Sequence, residues 1–272
     1  MSRACIVLSR FATALLLLAA ATGIALAQPA DPAATLRLED LTSTELAQRI
    51  AAGFTTVLVP VGGTEQSGSH IALGKHNARA GALAGRIAVA LGNTLVAPVI
   101  AYVPEGTIDP PSAHMRYPGT ISVPQPAFEQ TLAAAAQSLR RAGFRTVVLL
   151  GDHGDYQGSL QGVATRLDRE WRRSGARALA PMEYYRAAST GFDQLLRERG
   201  FADAEIGRHA GLADTALSLA LTPALVRTEA LANARSTPGV TGDPRRATAA
   251  LGELGVNLIV ERTVAAVRAS RP

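Results

Sequence analysis

The chain has 272 residues, room for one large α/β domain or two small ones. Hydrophobic residues make up 47% and charged residues 18%, which supports a sizeable core and excludes a mainly disordered chain, while aromatics at only 4% suit helices on a sheet better than an all-β sandwich. The formal charge of +5 falls to about +3 without Arg3 and Arg10, and no Lys/Arg run reaches the length of a nucleic-acid patch, so no nucleic-acid partner is expected.

The N-terminus reads as a secretory signal. Arg3 and Arg10 supply the positive region, residues 11–21 are almost wholly apolar, and Ala25-Leu26-Ala27 gives a small-x-small site before Gln28. The apolar run is shorter than the ~20 residues of a membrane span. We expect cleavage after Ala27 and a periplasmic or secreted protein with no stable membrane association. The single cysteine, Cys5, falls inside this signal, so the mature chain has no disulfide, no cysteine nucleophile and no cysteine metal ligand. Residues 28–36 read as a flexible lead-in and 37–272 as one domain.

Within that domain the spacing predicts a helix over 42–52, with Ser43 or Thr44 as its cap, then a buried strand over 55–60. A polar loop is expected over 61–77, a helix over 78–91 and a second strand over 94–99. Residues 100–124 carry five prolines and no clear period, and a loop of that length in a compact domain is usually functional. A helix over 126–142 precedes the best strand of the sequence, 146–150, which a Gly-rich loop follows over 151–158. A helix over 160–173, a short strand over 177–180 and helices near 187–199, 213–221 and 246–269 complete the chain. Strands alternating with helices imply a three-layer α/β/α fold on a mostly parallel sheet, with the site beyond the carboxyl ends of the strands.

The five histidines, His70, His76, His114, His153 and His209, all fall in predicted loops or loop–helix junctions. His70 and His76 share the first such loop with Glu65; His114 lies in the second; His153 lies in the third beside Asp152 and Asp155. Imidazole and carboxylate without thiolate is the donor mix of zinc or manganese. Each histidine taken singly could equally be a capping or surface residue. Glu105 and Asp109, in the loop of His114, read as solvated.

Four segments in order then resemble one family. Val59-Pro-Val-Gly-Gly-Thr-Glu65-Gln-Ser-Gly-Ser-His70 resembles the opening motif of the creatininase (creatinine amidohydrolase) family. His114 with Tyr117-Pro-Gly-Thr-Ile-Ser122, Gly151-Asp-His153-Gly-Asp155, and His209-Ala-Gly-Leu-Ala-Asp214-Thr are similar to its later motifs. The resemblance implies divalent metal, hydrolysis of amides or related C–N bonds, and a homo-oligomer. It makes Glu65 and His153 metal ligands, sets Asp155 where creatininase has a glutamate ligand, and sets His209 beside the substrate. The chain departs from the family at three positions. Ser67 replaces a histidine of the second metal, His76 replaces an aspartate that bridges two metals, and Asp214 replaces a glutamate.

A neutral imidazole has one lone pair and cannot bridge two cations. The expectation is therefore one zinc or manganese per chain, on Glu65, His76 and His153 with Asp155 as a further ligand, and His70 in reserve. A metal-activated water would attack the carbonyl of a small, possibly cyclic, amide. His209 or Asp155 would move the proton, and His114, His70 and Asp214 would line the substrate. Lactone hydrolysis or isomerisation at the same site, and a non-catalytic small-molecule-binding protein on a decayed enzyme fold, remain alternatives. An iron oxygenase fits the ligand types but not the motif order.

Overall fold

One short apolar run organises the molecule. Thr56–Val61 forms β1, buried along its whole length, as expected of a strand covered on both faces of a parallel sheet. The computed structural model describes residues 36–270. The expected signal at 1–27 and nearly all of the lead-in at 28–36 lie outside the described residues. Ahead of β1 stands α1 (Ser43–Ala51). Its cap is Thr42 rather than Ser43 or Thr44. The Thr42 hydroxyl accepts from the Glu45 amide while the Glu45 carboxylate accepts from the Thr42 amide at 2.7 Å, a reciprocal pairing that fixes the first turn.

After β1 come α2 (Lys75–Leu91), β2 (Thr94–Val96), α3 (Gln125–Ala142) and β3 (Thr146–Gly151). Next are α4 (Gln157–Trp171), β4 (Arg177–Leu179), α5 (Met182–Arg186), α6 (Phe192–Arg197) and α7 (Asp203–Ile206). The last three are α8 (Leu212–Leu221), α9 (Leu231–Ala234) and α10 (Ala249–Ala269). The four strands lie in the order β2-β1-β3-β4, all parallel. Strand β2 is shorter than its pattern. Beyond Val96 the Ala97 amide still donates to the Leu58 carbonyl at 2.8 Å, and one isolated parallel bridge pairs Val61 with Ile100 through the Ile100 amide to the Pro60 carbonyl and the Gly62 amide to the Ile100 carbonyl, both at 3.0 Å. Pro60 has no N–H to donate, so the ladder is interrupted there and resumes only at the Val61–Ile100 bridge.

Side chains of the two central strands alternate between two cores, as the period of two requires. Leu58, Val148 and Leu150 face a core shared with α2, α8 and α10, and Val57, Val59, Val147 and Leu149 face one shared with α3 and α4. This is a three-layer α/β/α fold. The helix expected at 187–199 starts earlier, at Met182 behind Pro181, and passes through one π turn at Ala187–Gly191. Helix α10 begins only at Ala249, where the Thr248 hydroxyl accepts from the Leu251 amide. Among the described residues no helix is long and apolar enough to cross a membrane.

Helices α8 and α10 approach closely at Gly252, where a Cβ would collide with the Ala216 carbonyl oxygen. Gly252→Ala is expected to cost about 1–3 kcal/mol, read as a lowered urea midpoint. An unchanged midpoint would mean that the two helices do not pack this tightly.

Candidate metal centre and cleft

The loops leaving β1, β2 and β3 meet over the carboxyl edge of the sheet. Tyr156 ties two of them together. Its buried hydroxyl accepts from the amides of Asp152 and His153 and lies 2.8 and 2.6 Å from the carbonyls of Val61 and Gly62. The Pro-rich segment is pinned to the first loop, with the Ile121 amide donating to the Thr64 carbonyl at 2.9 Å and the Gln66 amide to Thr120 Oγ1 at 3.2 Å. Glu65 is held by its own amide, which donates to the Leu73 carbonyl at 3.1 Å.

Beneath the loops lies a buried ionic network centred on the first turns of α2. Lys75 Nζ sits 2.9 Å from Asp214 Oδ2 and 3.3 Å from Glu65 Oε1. Arg79 donates to Asp152 Oδ2 through Nε and to Asp214 Oδ1 through one terminal nitrogen, both at 2.8 Å. His76 stands between two carboxylates, with Nδ1 at 2.6 Å from Asp152 Oδ2 and Nε2 at 2.8 Å from Glu65 Oε1. The Tyr184 hydroxyl donates to Asp152 Oδ1 at 3.0 Å. Burial alone would raise all three carboxyls. Burial is the largest single influence on each, but for Glu65 the Lys75 charge together with the His153 and His76 contacts, for Asp152 the Arg79 guanidinium together with His76, and for Asp214 the Lys75 and Arg79 charges together outweigh it and hold the group below its ordinary range.

Above this network the imidazoles gather. His114 Nε2 and His153 Nε2 lie 3.5 and 3.3 Å from Glu65 Oε2, and ligand atoms of Glu65, His114 and His153 all fall within 4.8 Å of one another. Glu65 Oε2 is buried and has no hydrogen-bond partner. Ligands at ~2.1 Å around a tetrahedral cation stand ~3.4 Å apart, so the three residues fit a metal. Glu105 is also fully buried, with neither oxygen hydrogen-bonded and Oε2 3.4 Å from His153 Nε2. Burial pushes its carboxyl up to about 8, against the attraction of His153. His209 stacks on His114 at 4.2 Å between ring centroids, and its Nε2–H donates to the Gln66 carbonyl at 2.8 Å. Burial, then the Lys75 charge, brings His209 down to about 3. Gln66 spans both rings, with its amide nitrogen 3.0 Å from His114 Nδ1. A cleft of about 980 Å³ opens over this group, and His114, His153, Asp155, His209 and Asp214 are on its walls.

The structure thus brings Glu65, His153, His114 and His209 together. It places His76 next to them in a different setting: His76 is in the first turn of α2, not in a loop, and a carboxylate faces each ring nitrogen. Asp155 is exposed at the rim, and its backbone amide donates to His153 Nδ1 at 3.2 Å. His70 is buried away from the cleft walls, with Nε2 near the Ala210 carbonyl and Thr215 Oγ1. Asp214 reaches back from the first turn of α8 to accept from the Ala210 amide at 2.8 Å. Glu105 is not solvated, contrary to its sequence context. Lys75 and Arg79 carried no expectation, although the buried ladder Leu91, Ile87, Leu83 and Ala80 runs back at helical spacing to His76.

A carboxylate–imidazole cluster over the carboxyl edge of a parallel α/β sheet defines a metallohydrolase-type site. The family model described as creatinine amidohydrolase matches residues 39–267. A creatinine amidohydrolase of Pseudomonas putida is 30% identical over 193 residues, 69% of this chain and 72% of that protein. A mycofactocin precursor peptide peptidase of Mycolicibacterium smegmatis is 29% identical over 221 residues, 72% and 78% of the two chains. A crystal structure of creatininase superposes with a TM-score of 0.72 at 25% identity, covering 87% of this chain and 98% of that one. Similar creatininase structures include a Zn–Zn form and a manganese form. The chain belongs to the creatininase family, and with this fold it is a metal-dependent amidohydrolase.

Arg79→Met would leave Asp152 and Asp214 short of a buried partner and is expected to cost about 3–5 kcal/mol in denaturant melts. Arg86→Ala, which breaks an exposed pair with Glu253, should cost under about 1 kcal/mol. Equal costs would contradict the network. Because Asp152 and Asp214 are held low when folded, their contribution is full above the unfolded value of about 4 and lost as the pH falls below it. The stability gap between wild type and Arg79→Met should therefore narrow below about pH 4; a gap that widened there would refute this.

Proposed function

We propose that this chain hydrolyses an amide bond using one divalent cation, zinc or manganese, held by Glu65, His114 and His153. The observation that carries this is the buried, unpartnered Glu65 Oε2, faced by two imidazole nitrogens at 3.3 and 3.5 Å. Its other oxygen is already engaged by Lys75 and His76, which favours one cation per chain over two. A cation bound there supplies an activated water and polarises the substrate carbonyl.

The chain's own residues do the rest. Lys75 and His76 fix Glu65 so that only Oε2 is free. Gln66 holds the ring of His209, whose Nε2–H donates to its carbonyl. His209 is neutral at pH 7, with Nε2–H committed to the Gln66 carbonyl, so Nδ1 is its free acceptor. Nδ1 stands 3.6 Å from Glu65 Oε1, beside the cation position, where it would pass a proton to a leaving nitrogen. Asp155 at the rim is the second candidate for that transfer. The cleft is at the upper end of the range for drug-sized ligands. Together with the likeness to peptide peptidases, that favours an amide within a short peptide over one small ring. The signal pattern at 1–27 supports action in the periplasm or outside the cell, and family membership supports a homo-oligomer.

Elemental analysis of the purified chain should find about one zinc or manganese per chain, falling to near zero in His114→Ala. The loaded protein should release amine from members of a panel of short peptides, cyclic amides and formamides. Full metal content in His114→Ala would remove that ligand, and a chain that takes up no metal even on reconstitution would remove the function.

A further inference from the structure

One wall of the cleft carries a charge that nothing in the fold uses. That wall is a single helical stretch made of α5, the π turn at Ala187–Gly191 and α6. In an unbroken α-helix, eight residues overshoot a whole number of turns by about 80°. The one extra residue of the π turn brings that to about 20° the other way, so Tyr185 and Asp193 line the same cleft. Such turns are frequent at functional sites. Ser189 and Thr190 on this stretch donate their hydroxyls to the carbonyls of Tyr185 and Arg186, which leaves Asp193 as its free polar group.

Tyr185 fixes where this wall stands relative to the metal centre. Its hydroxyl lies against Gly154, where a Cβ would be 2.6 Å from it, and Gly154 directly follows His153. Asp193 is about two turns further along the wall. It is half-buried, and among the described residues no hydrogen bond or salt bridge reaches its carboxylate. Arg197, one turn on, is engaged by Asp203 at 2.5 Å. Arg208 lines the same cleft but is exposed, so its charge is solvated at little cost. Burial pushes the Asp193 carboxyl up to about 6, against the attraction of Arg197 and with Asp203 and Asp214 adding to the rise. The group is therefore largely ionised at neutral pH yet poorly compensated. A carboxylate withdrawn from water without a partner is destabilising until a positive charge meets it.

We propose that Asp193 receives a positively charged group of the substrate, an aliphatic ammonium borne by the chain on one side of the amide that is cut. This rests on the reading of Glu65, His114 and His153 as the holders of the cation. It narrows the substrate from any short peptide amide to one with an N-terminal or lysine-type ammonium within reach of the metal centre. Asp155, exposed at the rim, carries the same sign of charge into the cleft.

The test is calorimetric titration of the metal-loaded full chain with straight-chain hydroxamates of increasing length, each with and without a terminal ammonium. The hydroxamate anchors the probe at the metal centre, and the chain length measures the reach to Asp193. At one length the ammonium should strengthen binding by about 10-fold or more. Asp193→Asn, an isosteric change that breaks no bond, should abolish that gain and leave the plain hydroxamates unchanged. Nα-acetyl-lysine hydroxamate and glycyl-norleucine hydroxamate then tell a side-chain ammonium from an N-terminal one. No gain at any length, or a gain that survives in Asp193→Asn, would overturn the proposal and leave the metal centre standing. A gain for terminal carboxylates that Arg208→Ala removes would overturn it in favour of an anionic substrate. Hydroxamates that do not bind at all would overturn the metal reading with it.

Discussion

Two buried cations on one helix hold this site together. Lys75 and Arg79 project from the first turns of α2, and neither can be removed from water without carboxylate partners. Those partners come from three distant parts of the chain: Glu65 from the loop after β1, Asp152 from the end of β3, and Asp214 from the first turn of α8. The network needs the sheet, α2 and α8 all in place. It also explains why the surrounding loops need little regular structure. They are fixed by a few single bonds, such as those of Tyr156 and the Thr64–Ile121 bridge, over a base that cannot shift without exposing a charge.

The network makes Glu65 asymmetric. One oxygen faces Lys75 and His76, and the other faces His114 and His153. A carboxylate free on both sides can serve two cations; one already paired to an ammonium and an imidazole has a single position to offer. Relatives of this fold include a Zn–Zn creatininase form. In the reading proposed here Lys75 and His76 occupy one oxygen of Glu65, and His153 and the Pro-rich segment's His114 face the other.

Much of this was legible in the sequence, and the gaps have physical causes. The strands around Val57 and Val147 were readable because fully buried parallel strands are short β-branched runs between turns. The motif loops were readable because their glycines, histidines and carboxylates are closely spaced. Glu105 was misread because a carboxylate in a Pro-rich segment is normally solvated, and only the return of the chain through Ser122 and Val123 buries it. His76 was placed in a loop because α2 begins with polar residues. Its inward face is ionic rather than apolar, so a hydrophobic period cannot mark where the helix starts.

By itself the sequence determined the layer architecture, the order of strands and helices, and the edge of the sheet on which the site would form. Those follow from patterns a few residues long. Tertiary structure alone decided which imidazoles meet. His114 and His153 are 39 residues apart in sequence and converge on Glu65 because β2 and β3 flank β1, whereas His76, only 11 residues from Glu65, is drawn into the ionic network instead. A ligand set is a statement about distances between loops, and those distances are fixed by strand order and packing.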